Sequence, residues 1–281
     1  MQRNGANKNN ELRLGDVSKN LYRPLQPAVT ENGSHVTYQE FSPGPPLQPY
    51  IYCYWQLKTS EPLQSTFSYR VVADGCIDIA FNLNEPAESI AIGFQDTFNQ
   101  FALEPEFNYI GIRFLPAMFP VAFAIDASEL SNSIHTLDDV LPKIAHFIRN
   151  NVHPEYPVTQ VVYLLDQYFT ARLTRMNHDL DHRFFYALQH ILSTQGVLSI
   201  GSDIDTGLSS RQMRRLFNFY IGDSPKSFAK VVRFQNILQA KPSLQSLRQN
   251  KLFFDAGYYD QAHFIKEFRT LYGVTPTEAF S

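Results

Sequence analysis

Residues 257–276 read GYYDQAHFIKEFRTLYGVTP, and residues 207–225 echo them as GLSSRQMRRLFNFYIGDSP. With the two stretches aligned, Phe217 falls on Phe268, Gly222 on Gly273, Ser224 on Thr275 and Pro225 on Pro276, all at one offset of 51 residues. Asp260 in one copy, and Ser209 or Ser210 in the other, can accept the unpaired N–H groups that open a helix. Behind them, Phe264, Phe268, Leu271 and Tyr272 form one apolar stripe at helical spacing, and Met213, Leu216, Phe217 and Tyr220 form the other. Gly222 and Gly273 supply the backbone freedom that ends a helix. Ser224-Pro225 and Thr275-Pro276 then read as a cap followed by proline at the first helical position. The repeated unit is helix, turn, short helix.

The face left outside by each stripe carries the donors. Arg211, Arg214, Arg215 and Asn218 share one side of the first helix, with Gln212 beside them; Asp260, Gln261, His263 and Lys266 occupy the opening turns of the second. Such side chains read base edges and phosphates, Arg215 being the strongest candidate for a guanine. A single helix of this kind reads as a solvated surface, but two copies at a fixed offset favour a nucleic-acid interface. The overall charge of −3 hides an asymmetry: residues 201–281 hold 11 Lys and Arg against 7 Asp and Glu, a net of +4, and the rest carries −7. A basic C-terminal partner-binding domain follows.

The last 90 or so residues resemble the AraC/XylS-type DNA-binding domain, in which two helix-turn-helix units are joined by a long helix. Its signature is present as Gly257, Tyr258, Asp260, Gln261, His263, Phe264, Phe268, Gly273 and Pro276. The resemblance implies two recognition helices in successive major grooves of double-stranded DNA, and a cytoplasmic transcription regulator, activation included. It also implies further partners: a small-molecule effector, a second copy of the chain in a homodimer, and RNA polymerase. Two positions depart from the family pattern: Asp203 and Phe253 stand where a small alanine packs at the helix crossing. A connecting helix is expected from about 224 to 240. At about 1.5 Å per residue it would be on the order of 20–25 Å long, compatible with helices one DNA turn apart.

Upstream, residues 1–35 are polar and aperiodic and read as a flexible arm. Residues 36–178 are expected to form a strand-rich effector and dimerisation domain with linking helices, and residues 179–281 the DNA-binding domain. Short runs such as YIYCYWQL, FSYRVV, CIDIAFNL, SIAIGF and YIGIRFL predict an antiparallel sandwich or barrel-like domain, so the fold class is α+β. The segments ADGCIDIAFNL and YIGIRFLP are similar to the N-terminal region of one subgroup of these regulators, with Ala73 and Pro116-Ala117 as departures. Leu137, Val140, Leu141, Ile144 and Ile148 make a first helical stripe. Val161, Leu164, Leu165, Tyr168 and Phe169 make a second, and Phe184, Leu188, Ile191 and Leu192 a third.

Asp74, Asp78 and Arg113 are candidates for an effector pocket; a turn residue, a strand-edge carboxylate and a structural ion pair are the alternative. His178 and His182, with Asp179 or Asp181, have metal-ligand spacing on a helix but read more simply as surface residues, so no metal or other cofactor is expected. Cys53 and Cys76 read as buried free thiols. No phosphate-binding glycine loop, serine elbow or HExxH motif occurs, which argues against an enzyme. No apolar run reaches membrane-spanning length, and the N-terminus has no signal-like apolar core. The rival reading is a ligand-binding or protein-interaction module whose helix-turn-helix units no longer bind DNA. A metal-dependent barrel enzyme is a third.

Overall fold

A computed structural model describes residues 21–27, 35–173, 181–197, 206–243, 245 and 257–281. The first half is built on strands β1 (Val36–Phe41), β2 (Ile51–Thr59), β3 (Phe67–Val71), β4 (Ile77–Asn82), β5 (Glu85–Ile92), β6 (Asn99–Leu103), β7 (Asn108–Phe114) and β8 (Ile134–Thr136). Six of them pair in the order β1-β2-β7-β4-β5-β8, and β3 and β6 form a separate two-stranded sheet. Every pairing is antiparallel. The architecture is the α+β arrangement expected, strands first and helices after.

Period-two alternation divides the larger sheet into two faces. Ile79 and Phe81 of β4, and Ile110, Ile112 and Phe114 of β7, point one way, into a core closed by helices. Those helices are α1 (Met118–Phe123), α2 (Leu137–Val140), α3 (Pro142–Asn151) and α4 (Val158–Leu173). Phe114 meets Phe119, Phe123 and Phe169 edge-on, at centroid distances of 5.4, 5.5 and 6.0 Å, the geometry that ring quadrupoles favour. The intervening residues Cys53, Trp55, Leu57 and Ala80 point the other way, beneath the two-stranded sheet. Gly111 lies in this second face because the indole of Trp55 occupies the space a side chain would need.

The second half comprises α5 (His182–Ser193), α6 (Ser210–Ile221), α7 (Pro225–Ala240), α8 (Gln261–Tyr272) and α9 (Pro276–Ala279). The connecting helix therefore spans the residues expected of it. The third stripe joins this half: Phe184, Leu188, Ile191 and Leu192 are all buried in the core that also holds Phe217, Phe228 and Phe268. That core continues into the first half through Val72, Ala73, Cys76, Phe94 and Met118.

The inner end of the stretch read as a flexible arm differs from expectation. Tyr22 and Gln26 are buried. The Tyr22 hydroxyl donates to the Asp74 carbonyl (2.6 Å), and Gln26 Nε2 donates to the Val72 carbonyl (3.0 Å) and the Asp74 carboxylate (2.9 Å). Leu25 exchanges two backbone hydrogen bonds with the Gln235 amide of α7. Tyr22 and Gln26 spend their polar groups on the first half instead of on solvent. Cys53 and Cys76 are buried and free, as expected. Burial pushes both thiols up, which leaves them inert.

Candidate nucleic-acid interface and ligand cavity

The two repeated units share one skeleton. Ser209 caps α6 by accepting from the Gln212 N–H, and the Gln212 side chain accepts in return from Ser209, closing a capping box. Asp260 caps α8 by accepting from the His263 N–H at 2.7 Å. Gly222 and Gly273 end the two helices at φ 107° and 99°, a left-handed conformation that penalises any Cβ. Ser224 and Thr275 cap the helices that follow, each with proline at the first turn.

These contacts divide the candidate DNA-binding residues. Arg211, Arg214, Arg215 and Asn218 are exposed on α6, and Gln261, His263 and Lys266 are exposed on α8. Among the described residues, Arg211, Arg214, Arg215 and Lys266 form no ion pair. Gln212 and Asp260 instead have their side-chain oxygens engaged in capping. His263 lies 3.8 Å from the Glu267 carboxylate, one turn along. Sequence inspection missed the brace behind it: Arg233 of α7 pairs with Glu267 at 2.6 Å and sits 4.2 Å over the Tyr258 ring, fixing α8 on the connecting helix. Arg233 and Glu267 lie on the inward sides of their helices, a signal visible only once both helices are placed.

The first half of the molecule grips the ends of both candidate recognition helices. Ser131 Oγ donates to the Gly222 carbonyl (2.7 Å), and a Cβ on Gly222 would strike Ser131 and approach the Ala127 carbonyl to 3.1 Å. At the equivalent position of the second unit, a Cβ on Gly273 would stand 2.8 Å from the Phe98 ring. The Phe98 N–H donates to the Thr270 carbonyl and the Ala73 N–H to the Leu271 carbonyl, both at 3.1 Å. Gln235 Nε2 donates to the Ala73 carbonyl at 2.8 Å.

Asp74, Asp78 and Arg113 converge. Arg113 Nη2 donates to Asp78 at 2.9 Å, Nε lies 3.1 Å from Asp78 and 3.3 Å from Asp74, and Trp55 Nε1 donates to Asp78 at 3.0 Å. Register explains the meeting, since Asp78 of β4 lies directly opposite Arg113 of β7. The cluster borders a cavity of about 120 Å³ between the two sheets. Aromatic walls come from Trp55, Tyr69, Phe101 and Tyr109, and aliphatic ones from Leu57, Val71, Ile90 and Ile92. Burial pushes the Asp78 carboxyl up against the opposing pull of Arg113. Burial also opposes the charge on Arg113, but the two carboxylates outweigh it and hold its pKa above the ordinary arginine value.

Of the residues with metal-ligand spacing, Asp181 caps α5 and pairs with Arg183, and His182 begins that helix. His178 and Asp179 lie outside the described residues, as do Asp203 and Phe253. Among the described residues no group of three metal-ligating side chains occurs, and no helix is long and apolar enough to cross a membrane.

Residues 39–136 match a family model described as a domain of unknown function, DUF6597, and residues 205–281 match a helix-turn-helix domain model. Among curated proteins no relative matches the chain. Among solved structures, an apo ToxT variant from Vibrio cholerae strain SCE256 is 10% identical, with 89% of this chain and 98% of that one covered at a TM-score of 0.42. ToxT from Vibrio cholerae O395 bound to (E)-4-(8-methylnaphthalen-1-yl)but-3-enoic acid is also 10% identical, with 88% and 98% covered at a TM-score of 0.37. These likenesses are too distant to carry function. The matched model, the doubled units and the signature residues together make residues 205–281 a helix-turn-helix domain of the AraC type.

Proposed function

We propose that the protein is a sequence-specific, DNA-binding transcription regulator whose two recognition helices, α6 and α8, enter successive major grooves, and that it is not an enzyme. The observation that carries this reading is the pairing of two helices, each capped at its first turn and ended by a left-handed glycine, on one connecting helix, each with a donor face outward. Arg211, Arg214 and Arg215, with Asn218, contact one groove segment; Gln261, His263 and Lys266 contact the next. Gln212 and Asp260 act at one remove, as caps that hold the first turns in shape. At 16 residues, α7 is about 24 Å long, a separation suited to one face of the duplex.

The first half is proposed to act as an effector domain, with the Asp74, Asp78 and Arg113 cavity as its site. Two connections border that cavity and also reach the DNA-binding half. Residues 72–76 hold Leu271 and Gln235 through Ala73, and residues 93–98 hold Thr270 through Phe98. A ligand that shifts either connection biases how the recognition helices are held. Homodimerisation and contact with RNA polymerase belong to the same proposal, carried by the family resemblance.

Selection of duplexes from a random-sequence pool with the full chain tests the DNA reading. The expected product is a bipartite motif whose halves lie about 10 bp apart. Recovery of unrelated sequences would favour the rival reading of a protein-interaction module with degenerate helix-turn-helix units.

A further inference from the structure

The two repeated units differ in length where the chain enters them. Each begins at a left-handed glycine, Gly207 at φ 69° and Gly257 at φ 76°. From Gly207 a single residue, Leu208, leads to the Ser209 cap, whereas Tyr258 and Tyr259 both stand between Gly257 and the Asp260 cap. The apolar residue ahead of a cap commonly packs against the first turns of its helix, and each unit fills that role. Leu208 lies partly buried against the helical core, and Tyr258 is buried in the same core, its ring 5.2 Å from Phe264 and 4.2 Å beneath the Arg233 guanidinium. Tyr259 is therefore the residue that the second unit adds to the shared skeleton.

Its side chain goes outward. Tyr259 is 87% exposed, more than any other large apolar side chain among the described residues, and it makes no hydrogen bond or ring contact with them. It neither caps the helix nor covers the core. Its position is what gives it a partner. Tyr259 stands immediately ahead of the α8 cap, at the end of the helix that also carries the exposed Gln261 and His263. Helices that read the major groove present their N-terminal residues to the base edges. Those neighbours supply polar groups, and Tyr259 adds an apolar ring. The major groove shows one apolar group, the C5-methyl of thymine, on which such a ring can pack. The phenolic tip then stays in water or meets a phosphate, the divided surroundings that suit tyrosine. A contact to phosphate alone would need no ring.

We propose that Tyr259 is a specificity-determining residue that packs its ring on the C5-methyl of one thymine in the duplex segment read by α8. The proposal rests on the DNA-binding reading and adds to it a base readout that the polar residues of α8 do not supply. Titration of the full chain with the selected duplex, and with copies in which each thymine in turn is replaced by deoxyuridine, tests it. Deoxyuridine pairs as thymine does and lacks only the methyl group.

The unaltered chain is expected to lose about threefold to fivefold in affinity at one thymine, the effect of one buried methyl group. Tyr259→Ala is expected to bind the parent duplex about fivefold or more weakly and to lose nothing further from that replacement. Tyr259→Phe keeps the ring and should keep the discrimination. Both variants should melt at the temperature of the unaltered chain, since the side chain is exposed; a lowered melting temperature would assign Tyr259 a structural part instead. A deoxyuridine series with no sensitive position, or a sensitivity that persists in Tyr259→Ala, would overturn the methyl contact. Tyr259→Phe behaving like Tyr259→Ala would transfer the effect to the hydroxyl and overturn the role of the ring. The underlying reading fails differently: an unaltered chain with no preference for the selected duplex over a scrambled one brings down DNA recognition itself, whereas a preference that Tyr259→Ala leaves intact sinks this contact alone.

Discussion

Among the described residues, the two helix-turn-helix units match at the caps and turns that start and end their helices and differ at most positions that face outward. Ser209 and Asp260 cap, Gly222 and Gly273 turn left-handed, and Ser224 and Thr275 start the next helix. The outer face of α6 is crowded with arginines in its first turns, whereas α8 offers Gln261, His263 and Lys266 there and Arg269 only in its last turn. Their supports differ as well. The Phe184 ring stacks on Tyr220 of α6 at 4.6 Å, and Phe217 packs on Phe228 of α7. Only α8 has the Arg233–Glu267 ion pair. The lesson is a division of labour: repeated residues specify the fold of each unit, and unrepeated ones specify what it touches.

The sharpest way to break this symmetry is Glu267→Ala. It leaves Arg233, 13% exposed, without its counter-charge, and is expected to cost about 3–5 kcal/mol of stability in denaturant titrations. Among the described residues the first unit has no such pair, so a cost under about 1 kcal/mol would show that the brace is not what distinguishes the second. Next is Arg215→Ala. It is expected to weaken specific duplex binding by about 1–3 kcal/mol and to relax one base position, with the melting temperature unchanged. Lys266→Ala in the other unit should weaken all sequences alike.

The glycine ends come third. Gly222→Ala and Gly273→Ala each incur about 1–2 kcal/mol for the left-handed backbone. The first also drives a methyl group toward the Ala127 carbonyl, whereas the second meets only the Phe98 side chain. Phe98→Leu should therefore recover part of the Gly273→Ala loss, measured as a coupling energy in a double-mutant cycle. Zero coupling would mean that Phe98 does not grip the second helix. Smallest is Ser209→Ala, expected to cost about 1 kcal/mol of stability by opening the capping box.

The helices, their caps and their turns were legible because each is written within a few neighbouring residues. Ser209, Asp260, Gly222 and Gly273 all stand where the repeat placed them. The strand order was not legible, because pairing of β2 with β7 is a long-range choice that no local pattern encodes. Asp74, Asp78 and Arg113 were named together as a candidate pocket, with a structural ion pair as the alternative, and they prove adjacent and ion-paired. Trp55, which bonds Asp78, and Gly111, which makes room for it, lie inside runs that read only as strands. The docking of Tyr22 and Gln26 was hidden for the same reason, since Leu25 finds its partner 210 residues away. Gln212 and Asp260 carried two meanings at once, donor-face residue and cap, and contacts alone separated them.

The most direct test of the account is the affinity of the full chain for a selected duplex and for its scrambled counterpart across a salt series, with Arg214→Ala/Arg215→Ala measured in parallel. The account predicts preference for the selected duplex. It also predicts a slope of log affinity on log salt of about −5, from roughly six phosphate contacts, that becomes shallower in the double variant. A flat salt dependence with equal affinity for the two duplexes would contradict it.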